Sequence, residues 1–184
     1  MKSLLDFSEN TAQDSQVYVA HVICKMLKSL KSDELIFNAE DEQLELDAVQ
    51  DYKKNKYTTG ECVYKLSKML EYFFHHNYLD VVKLGLDPNF KTLMLEDGTY
   101  NEVVYYMIIS LSIYSLHQEY RPPGSAQLLH LSRKRLHAMR KVCPINFSPL
   151  AALLEAEHAK EKGRFKLAVM NYELAISEAT KADM

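Results

Sequence analysis

Apolar residues recur along this chain at three- and four-residue spacing, the period of a helix that buries one face. In residues 16–30 the stripe is Val19, Val22, Ile23, Met26, Leu27 and Leu30. Residues 33–51 carry eight acids and no base, and Leu35, Ile36, Leu44, Leu46 and Val49 give only a ragged stripe. A shorter or less regular helical segment is expected there. The pattern then sharpens. Thr58 or Thr59 caps a helix predicted over 60–76, with Val63, Leu66, Met69, Leu70 and Phe73 on its inner face. A sharp turn at Asn77, a short second helix and a stop before Pro88 follow. "EDGT" at 96–99 reads as a turn, with Thr99 capping a long helix over 100–119. "RPPGS" breaks the chain again before a helix over 125–142. "CPINFSP" is the next break, with Ser148 expected as N-cap and Pro149 at the first helical position, where a missing N–H costs nothing. Two last helices flank Gly163. No stretch reads as a strand.

Helix–turn–helix units joined by short breaks predict an all-α fold, a solenoid of antiparallel helical hairpins in one domain over 1–184. The hairpins are expected over 58–184, with less certain N-terminal helices over 1–57. The best-defined hairpin centres on Gly163, followed by Phe165, Ala168, Tyr172 and Ala175. Gly163 permits the positive φ of a tight helix C-terminus. Ala156, Ala168 and Ala175 let two helix backbones approach, and Phe165 and Tyr172 are expected to fill the groove toward a neighbouring hairpin. This spacing resembles the tetratricopeptide (TPR) repeat. "HHNYLDVV" is a weaker echo, with Tyr78 and Val81 in the aromatic and small-residue slots.

A wider resemblance rests on "VVYYMIISLSIYSL" and on the run from Ser132 to Ala179. The matching positions are Leu136 and Ala138, Cys143-Pro144, Asn146-Phe147, Leu154 to Glu157, and then Gly163, Ala168, Tyr172, Ala175 and Ile176. Together they resemble the TPR-like helical segment of large multidomain sensor kinases, proteins that also carry kinase-like, AAA-type ATPase, GAF and histidine-kinase modules. The likeness covers residues 58–180 and fades toward the N-terminus. It implies a scaffold or regulatory module of a signalling ATPase/kinase system. It carries no catalytic residue over, because catalysis in such proteins lies outside this segment. The five glycines here are isolated, and there is no Gly-x-x-x-x-Gly-Lys phosphate loop, His-Arg-Asp or Asp-Phe-Gly.

Composition narrows the class further. A formal charge of −3 argues against a generally basic nucleic-acid binder. Cys24, Cys62 and Cys143 lie far apart with no Cys-x-x-Cys pair, which reads as reduced thiols and points to the cytoplasm. "MKSLLDFSENTAQDSQ" is too polar for a signal peptide. The most apolar run, Val103 to Leu116, is too short to span a bilayer and contains three serines, so a buried core helix is expected.

Candidate chemistry is thin. His75 and His76 are adjacent on a helix and point about 100° apart, which prevents chelation from one face. His130 and His137 are seven apart, too far for the four-residue spacing zinc prefers. His158 has Glu155 and Glu161 three residues to either side and reads as salt-bridged. Cys143 with His137 lacks an oxyanion site and an orienting third group. Glu155 and Glu157 face apart and make a poor acid/base pair. No catalytic residue, metal site or cofactor is therefore expected.

Charge is more telling. Residues 121–142 hold Arg121, Arg133, Lys134, Arg135, Arg140 and Lys141 and no acid. His130, Arg133, Lys134, His137 and Lys141 share one helix face, opposite in sign to the acidic 33–51 segment. Solvation or an intramolecular charge match accounts for such a stripe without any function. The functional reading is a docking surface for an acidic protein partner, a kinase or ATPase component, through Arg133, Lys134, His137 and Lys141. Two alternatives are a histidine-based metal protein or enzyme, and nucleic-acid binding through the basic helix; the missing interleaved aromatics disfavour the latter. Twelve tyrosines and a last helix without a polar cap also raise self-association.

Overall fold

The computed structural model describes residues 58–97 and 100–183, together with Gln50 and Lys54. The expected helix over 16–30, the acidic segment apart from Gln50, and Cys24 lie outside the described residues. Within them the protein is all-α: seven α-helices, one short 3-10 turn and no strand. No helix among the described residues is long and apolar enough to cross a membrane. The chain divides into two compact units, with the division between residues 98 and 99 of the sequence.

In the first unit, α1 (Thr58–Phe74) packs against α2 (Tyr78–Gly85) and α3 (Pro88–Asp97). Cys62, Leu66 and Met69 are buried on α1, as are Val81 and Val82 on α2 and Phe90 on α3. These are the three- and four-residue spacings of an amphipathic face. Helix α1 ends in a left-handed residue, and that residue is His76 (φ 59°), one position before the expected Asn77. The His76 N–H donates to Phe73 O (3.0 Å) and the Asn77 N–H to Tyr72 O (2.8 Å), the two bonds of a Schellman turn.

Helix α2 stops before Pro88 as expected, and the departure is that Pro88 then starts a further helix, α3. Pro at the first position gives up no bond, and the Asp87 carboxylate caps the end by accepting the Asn89 N–H at 3.0 Å. Lys65 ties this corner to α1, with its ammonium 2.9 Å from Glu61 and 3.0 Å from Asp87.

In the second unit, α4 (Tyr100–Ser115) is followed by the 3-10 turn Gln118–Tyr120, then α5 (Ser125–Val142), α6 (Pro144–Glu161) and α7 (Phe165–Lys181). Val103 and Met107 of α4, Leu136 of α5 and Leu154 of α6 form one buried cluster. Helix α4 is the expected core helix, with Tyr105, Tyr106, Ile109 and Ile113 fully buried. Also buried on it is Glu102, whose side chain is 1% exposed and lies 2.7 Å from the Arg135 guanidinium of α5. Gly124 (φ 95°) lets the chain turn into α5, and the Ser125 hydroxyl donates to Pro122 O at 2.6 Å.

Helix α6 begins at Pro144, five residues before the predicted start, so Ser148 and Pro149 are buried within it. Proline at the sixth position removes one bond, to the Ile145 carbonyl, in a turn whose Ile145 side chain is exposed to water. The corner after α6 fits the expectation, with Gly163 at φ 68°.

Candidate interaction surface on α5 and α6

The faces of α5 divide its residues by role. Leu128, Leu129, Ser132 and Leu136 turn inward. One step round the helix, Arg133 reaches α6 and donates twice to Glu155, at 2.8 Å from Nε and 2.8 Å from a terminal nitrogen. His137, one turn on, places Nε2 3.0 Å from the same carboxylate. Burial works against the charge on Glu155, but the bonds from Arg133 and His137 outweigh it and hold the carboxyl below its ordinary value. The same hydrogen bonding raises Arg133.

Two of the four expected contact residues are therefore engaged inside the molecule, by a carboxylate 22 residues from Arg133 and 18 from His137 in sequence. An intramolecular charge match does occur with Glu155 on α6, while a match with the 33–51 segment falls outside the described residues. The other two, Lys134 and Lys141, are exposed, as is Arg140. No ion pair among the described residues engages any of the three. The cationic surface of α5 is thus Lys134, Arg140 and Lys141, with exposed His130 nearer the N-terminus.

Beside this surface lies an open cleft of about 590 Å³, lined among others by Tyr114, Arg121, His130, Arg133, His158 and Glu161. Its charges are largely spent internally: Arg121 pairs with Glu161 and Arg133 with Glu155. Burial, and then the positive field of Arg133, push His158 below its usual range. The Tyr114 hydroxyl is buried without a hydrogen-bond partner among the described residues, and burial raises its pKa. Glu155 and Glu157 serve opposite sides of α6, Glu155 facing α5 and Glu157 accepting from the Tyr172 hydroxyl of α7.

His76 sits in the α1 corner with Nδ1 2.7 Å from the Tyr78 hydroxyl. Among the described residues no group of three His, Cys, Asp or Glu side chains is placed to hold a metal. Cys143 links α5 to α6, and its N–H donates to Met139 O at 2.9 Å. Glu102 and Glu161 were not legible as partners of Arg135 and Arg121, because nothing local in a sequence signals an ion pair between helices. No family model matches the chain, and no match was found among curated proteins or solved structures.

Proposed function

We propose that this chain is a non-catalytic protein–protein interaction module, a TPR-like helical scaffold that docks an acidic segment of a signalling kinase or ATPase component in the cytoplasm. The observation that carries the reading is the division of cations on α5. Arg133, Arg135 and His137 are consumed by internal carboxylates, whereas Lys134, Arg140 and Lys141 stand exposed on a helix supported from within. Charges that no fold contact requires, held on a rigid element, suit a partner of opposite sign. The TPR-like part rests on the α6–α7 hairpin, where Ala156, Ala168 and Ala175 are buried at the closely packed face and Gly163 makes the corner.

The test is affinity capture with the wild-type chain and with the triple variant Lys134→Glu, Arg140→Glu, Lys141→Glu, followed by titration with the purified captured protein. A kinase or ATPase component that binds the wild type, weakens with rising salt and is lost with the variant supports the proposal. Identical capture by both chains overturns it.

A further inference from the structure

Large apolar side chains are exposed on two faces of α7: Leu167, Met170 and Leu174 on one, and Phe165, Val169 and Ile176 on the other. The inner side of the helix, Ala168 and Ala175, is buried against α6, while Phe165 (69% exposed), Val169 (54%) and Ile176 (68%) project from the adjoining flank. Half-buried Tyr172 completes that flank. Monomeric proteins rarely leave such side chains contiguous unless something covers them. Phe165, expected to fill a groove, instead stands on the side of α7 that α6 leaves uncovered.

The spacing of the stripe indicates what fits it. Phe165, Val169, Tyr172 and Ile176 are separated by four, three and four residues, the a/d alternation of a coiled-coil seam. In heptad terms Phe165 and Tyr172 are d positions, and Val169 and Ile176 are a positions. The stripe is symmetric about its midpoint. When a second α7 is laid on it antiparallel, Phe165 of each copy faces Ile176 of the other, and Val169 faces Tyr172.

The flanking charges obey the same symmetry. Lys166 and Glu173 are the two e positions, both exposed and without an ion-pair partner among the described residues. Antiparallel pairing brings e against e, so Lys166 of one copy meets Glu173 of the other at each end. The g positions, Ala168 and Ala175, stay on α6. A parallel arrangement sets each e position against a g position, here Lys166 and Glu173 against the alanines, and so matches no charges. Shape and charge thus select the same partner in the same direction.

We propose that this protein self-associates through α7, with the Phe165–Val169–Tyr172–Ile176 stripe pairing antiparallel with its counterpart in a second copy. The contact is isologous, so two copies close on each other and no further copy adds. One helix pair buries less than about 1,200 Å² in total, which gives a reversible dimer and not an obligate one. This surface is separate from the α5 cations, and neither proposal depends on the other.

The test is sedimentation equilibrium of the full chain from low to high micromolar concentration. A monomer–dimer equilibrium is expected. The double variant Val169→Glu, Ile176→Glu should weaken it by at least about ten-fold while keeping helical circular dichroism, since both positions are exposed. Lys166→Glu and Glu173→Lys should each weaken self-association about several-fold, because each sets like charges face to face. Mixed in equal amounts, the two single variants should recover wild-type association as a heterodimer.

A wild-type chain that stays monomeric throughout overturns the proposal, as does a dimer indifferent to the Val169/Ile176 variant. Charge variants that weaken but do not rescue each other refute the antiparallel pairing, and this arm holds even if the double variant unfolds. The Lys134/Arg140/Lys141 variant should dimerise normally, so failure of the docking proposal and failure of this one read separately.

Discussion

The chain turns after α1 and after α6 with the same backbone geometry and different residues. At the first corner His76 and Asn77 donate at 3.0 and 2.8 Å; at the second Gly163 and Arg164 donate at 3.0 Å to Lys160 O and 2.8 Å to Ala159 O. Both corner residues are left-handed, at φ 59° and 68°. Glycine takes that conformation without a steric cost, whereas an L-residue gives up roughly 1–2 kcal/mol. His76 is compensated by its ring, which meets the Tyr78 hydroxyl at 2.7 Å.

Seven residues before each corner stand Met69 and Ala156, and five after it Val81 and Ala168, all four buried. One hairpin fills its interface with side chains, and the other uses alanine and lets the backbones close. The aromatic two residues past the corner also differs in its surroundings. The Tyr78 ring lies 5.9 Å from Phe73, while Phe165 is exposed. The geometry of a corner is therefore set by two hydrogen bonds, and the side chains around it can be large or small as the interface demands.

The comparison breaks most severely at the interface positions. Ala156→Leu forces bulk between closely packed helices and should cost about 1–3 kcal/mol or more, whereas Met69→Leu conserves volume and should cost less than about 1.5 kcal/mol. Urea denaturation of both variants checks the contrast. The corners come next. Gly163→Ala should destabilise by roughly 1–2 kcal/mol, although there is open space around the missing Cβ, because the strain lies in the backbone. His76→Gly should move stability the other way, by about 0.5–1 kcal/mol, since relief of φ outweighs the lost Tyr78 bond. Equal effects of opposite substitutions at both sites would show that the corners do not share a mechanism.

A smaller effect separates the two units by pH. The folded state holds His158 below its ordinary value of 6.5, so the unfolded chain binds the proton first. Stability is then full above pH 6.5 and lost as pH falls below it. Asp87 and Glu155 are also held low, so their contributions are present above the ordinary carboxylate values of 3.8 and 4.5 and lost on further acidification. Hydrogen exchange read helix by helix should therefore show α5 and α6 loosening as pH falls below 6.5, ahead of α1 and α2, and His158→Gln should remove that lead. The smallest expected change is in the stability of the Lys134/Lys141 charge reversals, within about 0.5 kcal/mol of wild type. A larger loss would mean that these cations serve the fold after all.

Local signals of the fold were legible in the sequence. Helix α5 spans the predicted residues 125–142, and Gly163 with its alanines marks the second corner, because turn chemistry and periodicity act within a few residues. Helix α3 was missed because Asp87-Pro88 serves equally as a stop and as a cap followed by a first helical residue, and the Lys65 ammonium that holds Asp87 comes from 22 residues away in sequence. The early start of α6 was missed because two prolines compete for one role, and Pro144 takes it. The α5 stripe was legible as a cationic face. Its division was not, since Glu155, Glu102 and Glu161 become partners only once helices pack. Phe165 was misplaced because its spacing fits a groove residue, while its exposure depends on what lies alongside α7.

The buried carboxylate of α4 has a further consequence, for how α5 is seated. Glu102 has no access to water, so it needs a cation at one point along the facing helix. A slide of α5 by one turn in either direction would present Leu131 or Met139 in place of Arg135 and leave a bare charge in the interior, at a cost of about 3–5 kcal/mol. Leucines and methionines alone would tolerate such a slip. The pair therefore acts as a detent: it adds little to cohesion but allows only one seating of the helix that carries the exposed lysines.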